Sequence, residues 1–384
     1  MISMAWMPNA GDLPWLNLFP RDPNRQAERQ LSTRRQLLIR TLATGASVAA
    51  GAALASCAPS GAASGTAAEL PPPETTTLRI TSPFACDPPL WLAKEFLVDE
   101  GFRDVQYLGG SGRPRDWATS GAADFGAAHP EELVAAIDAG APLVALAGLH
   151  AGCQEVWVGP GITSLRDLRG KRIGVGHKST EDQFFTFFAT TLAYVGIDPV
   201  KDVSFFEVGP TYEAMMKAFT EGRSDAFLAA AEGAAVLRRN PRSQSTKILD
   251  QSADKPWSQY VCCMLVANRD WTRQNPVATK RVTRAIMRAA DATVKDLPRA
   301  AHEGATRHFQ PLLQHPTALS DEQVLNETIA TISYDWRELD PEETLRFFAL
   351  RLGDVKLIKS TPQQIINLGS DVAYVRQLRT QLKA

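Results

Sequence analysis

The side chains best suited to chemistry in this chain are His129, His150 and His177, Lys178, and the cysteines Cys86, Cys153, Cys262 and Cys263. His177 and Lys178 adjoin, and such a pair could supply a general base or a Schiff-base lysine. No constellation supports either role, because the histidines are scattered and no second acidic or cysteine motif falls at ligand spacing. The cysteines form no Cys-x-x-Cys pair and no Cys/His metal pattern. The expectation is no catalytic residue, no metal and no cofactor. The cysteines read as small buried hydrophobic residues, with a Cys86–Cys153 disulfide as the alternative. Adjacent Cys262 and Cys263 sit in a strand-like run, so their side chains are expected on opposite faces.

Residues 176–180, Gly-His-Lys-Ser-Thr, suggest binding instead. They follow the strand-like Arg-Ile-Gly-Val and lead into a helical period. Exposed backbone N–H groups, the Ser179 and Thr180 hydroxyls and a helix N-terminus make a corner that suits an anion. The same residues, with Asp182 or Gln183 behind them, also suit an ordinary helix cap. His177 is either a cleft contact or a solvated loop residue. Ligands of open α/β sheets lie beyond the carboxyl ends of strands, which adds Thr211, Tyr212 and Glu232. Glu232 either faces a cationic or hydrogen-bond-donating ligand or caps the following helix. Trp257 and Tyr260 either stack on a planar ligand or pack in the core. Phe-Phe-Thr-Phe-Phe at 184–188 has helical spacing and reads as core. Gly-Gly-Ser-Gly at 109–112 lacks the Gly-Lys-Ser/Thr ending of a phosphate loop and reads as a turn. Arg113/Arg115 and Arg238/Arg239 read as solvated or docking charge.

The elements that must position these residues alternate. Short β-branched or apolar runs (near 77–81, 104–108, 124–127 and 143–150) are separated by helical periods, which argues for parallel βαβ units. In the helix after the first strand, Leu90, Ala93, Leu97 and Val98 are expected on the buried face, with Gly101 as the stop. A second set starts near Cys153, with strands at 172–175, around 203–207 and around 225–230. A strand-like run at 260–268 and a mainly helical remainder follow. "TSGAADFGAA" and "TEGRSDAFLAA" share a plan, as do the helices after the first strand of each half. Two similar halves are expected, with the chain crossing between them near Gly152–Gly159 and near Trp257–Cys262. The cleft between them is the default ligand site.

The 384 residues carry a formal net charge of −1, so no basic field points to nucleic acid. Thr33-Arg34-Arg35-Gln36-Leu37-Leu38 resembles a twin-arginine export motif, and Leu54-Ala55-Ser56-Cys57 resembles a lipobox whose cysteine is lipidated. The Ala/Gly-rich segment between them is too weakly apolar for a spanning helix. Residues 1–56 are therefore expected to be a signal peptide and 57–77 a tether. The tether is Ala/Ser/Gly-rich and ends in Pro71-Pro72-Pro73.

"DPPLWLAKE", "TSGAADFGAA", "ITSLRDLRGKRIGV", "GRSDA" and "YVCCMLVANRDW" together resemble the solute-binding proteins of nitrate/sulfonate/taurine-type ABC transporters. That superfamily also contains binders of thiamine pyrimidine precursors. The resemblance covers nearly everything after Leu78. It implies an α/β, two-lobed periplasmic-binding-protein (venus-flytrap, type II) fold with a helical C-terminal region. Lobe 1 is expected at 78–152 and 262–384, and lobe 2 at 153–261. It implies a monomer that is not an enzyme, captures a sulfonate, nitrate-like anion or related small organic compound, and delivers it to an ABC permease. Lipid on Cys57 would hold it at the outer side of a membrane. A pyrimidine-synthase-type enzyme on the same fold, or a ligand-sensing receptor domain, is the alternative. The resemblance also places the turn holding Ala85, Cys86 and Asp87, and His129 after the third strand, at ligand-contact positions. It departs from the family around Glu232, where Ala231 and Gly233 replace an aromatic and a proline. Asp87, Glu232 and the nearby aromatics favour a nitrogen-rich ring, and Ser179 and Thr180 an anion.

Overall fold

A computed structural model describes residues 70–108, 114–239, 244–307 and 320–382. The export motif with Arg34 and Arg35, Cys57 and the Gly109–Gly112 turn lie outside the described residues. Ten strands and thirteen helices form among the described residues, and no helix there is long and apolar enough to cross a membrane.

The strands build two five-stranded sheets. The first holds β1 (Thr77–Thr81), β2 (Asp104–Leu108), β3 (Phe125–Ala128), β4 (Leu143–His150) and β10 (Cys263–Asn268), in the order β2-β1-β3-β10-β4. The second holds β5 (Gln154–Val158), β6 (Arg172–Val175), β7 (Ser204–Glu207), β8 (Ala226–Ala230) and β9 (Thr246–Asp250), in the order β7-β6-β8-β5-β9. Each sheet has a parallel trio, β2-β1-β3 or β7-β6-β8. The remaining pairings are antiparallel, so the sheets are mixed and not purely parallel. The cause is the crossing: β5 and β10 each arrive from the other lobe and enter their new sheet from the opposite end. β9 was not expected, because Thr-Lys-Ile-Leu-Asp is largely polar. An edge strand needs apolar residues on one face only, and Leu249 is its buried member.

The internal repeat extends to individual hydrogen bonds. Asp124 accepts from the backbone N–H of Arg79 at 2.8 Å and holds its guanidinium, which also donates to Gly121 O. Asp225 does the same for Arg172, whose guanidinium donates to Gly222 O. The Gly-x-x-Asp spacing thus sews the incoming third strand of each trio to the first, at Arg79 in the middle of β1 and at Arg172 at the start of β6.

Helix Pro88–Asp99 covers the first sheet and packs against helix Pro276–Lys295. Leu90, Trp91, Leu92, Ala93 and Leu97 are buried, whereas Val98 is 58% exposed. The buried face is turned toward Trp91 because helix Leu297–Thr306 closes over it, and the indole N–H donates to Ala300 O at 2.9 Å. Of the phenylalanine cluster, Phe185, Phe187 and Phe188 are buried in the second lobe's core, as the spacing predicts. The first described residues are clasped. The Glu74 carboxylate accepts the N–H groups of Val277 and Ala278, capping helix Pro276–Lys295. Arg281 donates to Pro71 O at 2.7 Å and shares Glu100 with Arg284.

The chain crosses between lobes at residues 151–153 and 251–262. The crossings run side by side, with Cys262 N–H donating to His150 O at 2.8 Å and Gln251 N–H to Gln154 O at 3.0 Å. Gly152 makes that approach feasible. It sits at φ +74°, and a Cβ there would come within 2.5 Å of the Ser252 backbone.

Candidate functional site

The carboxyl edge of the first sheet gathers five separate chain segments. The β1 turn brings Ala85, Cys86 and Asp87, the end of β3 brings His129, and the end of β4 brings His150. The crossings bring Cys153, Cys262 and Cys263, and Tyr334 closes the group. All nine are buried. His150 Nε2 meets Asp87 Oδ1 at 3.2 Å, and both side chains are fully enclosed. Asp87 also accepts from Phe84 N–H, so its carboxylate makes no cap bond to the helix it precedes. The Tyr334 hydroxyl donates to Cys86 O at 3.1 Å, and its ring meets His150 edge-on. His129 stacks on Phe84, and its Nδ1 lies 3.2 Å from Cys262 O and 3.6 Å from Cys263 Sγ. The sulfurs of Cys86 and Cys263 are 3.9 Å apart.

The four cysteines are buried as expected, but their pairing and the faces of Cys262 and Cys263 need correction. Cys153 is bonded to Cys262, not to Cys86, across the two crossings, while Cys86 and Cys263 are free and buried. Nor do Cys262 and Cys263 turn to opposite faces, for their sulfurs lie within 4.8 Å of each other. Cys262 precedes the strand, and the register shifts between Cys263 and Met264, so regular alternation has not begun there.

The two histidines are driven in opposite directions. Burial, aided by the charge of His150, pushes His129 down to about 3. Burial also opposes charge on His150, but the Cys86 sulfur and the Asp87 carboxylate outweigh it and raise its pKa to about 9. Behind them Glu131 is buried, and desolvation lifts its carboxyl to about 8.

The second sheet's corner is built differently. Asp182, not Ser179 or Thr180, caps helix Gln183–Tyr194, accepting the Phe185 N–H at 2.8 Å. Its other oxygen accepts the His177 N–H at 2.9 Å, and Glu207 accepts the Lys178 N–H at 2.9 Å. Two of the corner's backbone donors, the His177 and Lys178 N–H groups, are therefore already satisfied by protein carboxylates. Gly176 admits this arrangement, since a Cβ there would lie 2.4 Å from Asp182 Oδ2. His177 is exposed and Ser179 and Thr180 are half-buried. Nearby, Thr211 Oγ1 caps helix Tyr212–Thr220 by accepting from Ala214 N–H. The Tyr212 hydroxyl accepts the Ala230 N–H at 2.6 Å, and its ring is buried against Phe184 and Phe227. Glu232 lies in the first turn of helix Ala231–Arg239.

Trp257 and Tyr260 join a different group. Trp257 is buried edge-on to Tyr194, and Tyr260 stacks on Phe347 with ring centres 4.3 Å apart. Of the arginines expected at the surface, Arg113 lies outside the described residues, and Arg115, Arg238 and Arg239 are exposed; two of them also bridge the lobes, Arg115 to Glu181 and Arg239 to Glu327. Arg238 pairs with Glu155 at 2.6 Å. Thr180 and Glu181 meet Arg115, Glu132 and Ala136 around a cavity of about 50 Å³. That is well below the roughly 300 Å³ that ligand pockets usually offer. Sequence reasoning did not place His150, Cys153, Cys263 or Tyr334 in a site. Only the folded chain puts them beside Cys86 and Asp87.

Three solved structures show the same fold. The alkanesulfonate-binding protein SsuA from Xanthomonas axonopodis, bound to MOPS, is 16% identical with a TM-score of 0.60, over 78% of this chain and 99% of that one. The periplasmic nitrate-binding protein NrtA from Synechocystis is 16% identical with a TM-score of 0.60, over 81% and 90%. The ligand-binding component of an ABC-type import system from Staphylococcus aureus, with zinc bound, is 15% identical with a TM-score of 0.60, over 78% and 98%. No curated protein matches. The NMT1/THI5-like family pattern matches residues 92–301, more than half of the sequence. On that match the chain, a two-lobed α/β protein of the periplasmic-binding-protein fold, belongs to the NMT1/THI5-like family.

Proposed function

We propose that this protein is an extracytoplasmic solute receptor whose lobes close on one small molecule and hand it to an ABC permease. The observation that carries the reading is the pair of side-by-side crossings joining two sheets whose carboxyl edges face a shared seam. That architecture can open and close about its crossings with little change inside either lobe. The structural relatives named for alkanesulfonate, nitrate and ABC-type import share the fold and support this assignment. Closure is favoured by contacts present only in the closed state, and the lobe-bridging pairs Arg115–Glu181 and Arg239–Glu327 are our candidates for that role. Candidate ligand contacts are Ala85, Cys86, Asp87 and His129 from the first lobe, and His177, Ser179, Thr180, Thr211, Tyr212 and Glu232 from the second. Trp257 and Tyr260 lie at the return crossing. The lobe boundaries proposed with this reading are 152/153 and 261/262.

The twin-arginine and lipobox segments support export and lipid attachment at Cys57. A thermal-shift screen of the purified protein against sulfonates, nitrate, carboxylates and pyrimidines tests the receptor reading. A saturable upward shift with one class is expected. No shift with any, together with turnover of a pyrimidine precursor, would replace the receptor with an enzyme on the same fold. Cys57→Ala is expected to move the protein from the membrane to the soluble fraction.

A further inference from the structure

The first sheet's edge collects more sulfur and imidazole than solute capture requires. Sγ of Cys86, Cys153 and Cys263 and one ring nitrogen of His150 all lie within 4.8 Å of one another, and all four residues are buried. A tetrahedral ion with metal–sulfur bonds of about 2.3 Å has sulfur–sulfur edges of about 3.8 Å, and Cys86 and Cys263 stand 3.9 Å apart. His150 supplies an independent sign. Its Nε2 is engaged by Asp87 at 3.2 Å, while its Nδ1 is buried with no hydrogen-bond partner. A carboxylate on one imidazole nitrogen, with the other left free of protein partners, is how metal-bound histidines are oriented. An orphaned buried nitrogen is otherwise a plain cost.

We propose that Cys86, Cys153, Cys263 and His150 form a tetrahedral site for a thiophilic cation of the zinc class, available once the Cys153–Cys262 disulfide is reduced. While that disulfide stands, Cys86, Cys263 and His150 offer only three ligands. A phosphine reductant opens the fourth. The S–S bond breaks, phosphorus takes the oxygen of one water, and the two protons of that water end on Cys153 and Cys262. On metal binding the three thiols release their protons, and His150 releases any proton on Nδ1 while keeping Nε2–H toward Asp87. Thiolate ligands with a single imidazole select zinc-like or cuprous ions over magnesium or calcium. The inference goes beyond solute capture and does not depend on it.

The test uses the full-length protein, reduced with a phosphine and desalted without air. It is titrated with Zn²⁺ against a chromophoric chelator and, separately, with Co²⁺. One ion per chain is expected, with thiolate charge-transfer absorption and the intense visible bands of tetrahedral cobalt. Cys86→Ser and Cys263→Ser should each weaken zinc binding by about 100-fold or more. Asp87→Asn should weaken it by about 10–100-fold, and the unreduced protein should bind more weakly than the reduced one. X-ray absorption of the zinc-loaded wild type needs no variant: three sulfurs near 2.3 Å and one nitrogen near 2.0–2.1 Å are expected. An all-oxygen shell, octahedral cobalt, or undiminished binding by both serine variants would overturn the site. The solute screen run on the same preparation keeps the two readings apart. A solute shift without zinc binding removes only the metal site, and zinc binding without any solute shift removes only the solute reading.

Discussion

The two sheets end in corners that share a strand plan and differ in what fills them. At the first corner, thiols, imidazoles and a carboxylate lie buried, and one imidazole nitrogen has no partner. At the second, the backbone donors of His177 and Lys178 are held by Asp182 and Glu207, on half-exposed turns. Duplicated topology therefore does not duplicate chemistry. A strand order supplies turns at one edge, and the side chains from other segments decide whether those turns are closed by the protein or left for something else.

Changes at the first corner should be the more damaging. His150→Ala leaves the Asp87 carboxylate buried beside Phe84 N–H alone, and an uncompensated buried charge costs about 3–5 kcal/mol. Denaturant unfolding should show a loss of that order, and a change below about 1 kcal/mol would mean that the pair is not truly enclosed.

The same corner should give stability a pH dependence through Glu131. Its folded-state pKa, raised to about 8 by burial and by the charge of Glu132, lies above the unfolded value of 4.5. The unfolded chain then gives up this proton first, so stability is lost as pH rises from about 4.5 to about 8. The contribution is on the order of a few kcal/mol at most. Melting curves across that window should slope downward, and Glu131→Gln should flatten the slope. An unchanged slope in the variant would assign the effect elsewhere.

At the second corner the effect should be smaller and of another kind. Asp182→Ala removes a helix cap, worth about 1 kcal/mol, and frees the His177 N–H. Sulfate, which stabilises folded proteins in general, should then raise the melting temperature of the variant more than that of the wild type. Equal responses in melting temperature would show that Asp182 does not occupy the anion position, and the contrast between the corners would collapse.

Most of the fold was readable in the sequence because local periods set it. The runs at Thr77–Thr81, Arg172–Val175 and Ala226–Ala230 are short, apolar and bounded by turns. The paired Gly-x-x-Asp segments mark the repeat that Arg79–Asp124 and Arg172–Asp225 make physical. β9 escaped because an edge strand tolerates Thr246 and Lys247 in the open. The candidate site was far less readable. Asp87, His150, Cys153 and Cys263 are brought together by sheet order and crossing geometry, and spacing along a chain carries neither. At the second corner, Ser179, Thr180 and Asp182 are all competent caps. The contest was decided partly by Glu207, which reaches the turn from a neighbouring strand.

The clasp at residues 70–74 has a mechanical consequence. Glu74 on the Val277 and Ala278 N–H groups, and Arg281 on Pro71 O, fasten the incoming chain to the first lobe, on the seam between helices Pro88–Asp99 and Pro276–Lys295. Under the proposed receptor function, a pull arriving along the preceding chain meets that seam before it meets either crossing. The first lobe would then be the jaw held by the leash and the second the jaw free to swing.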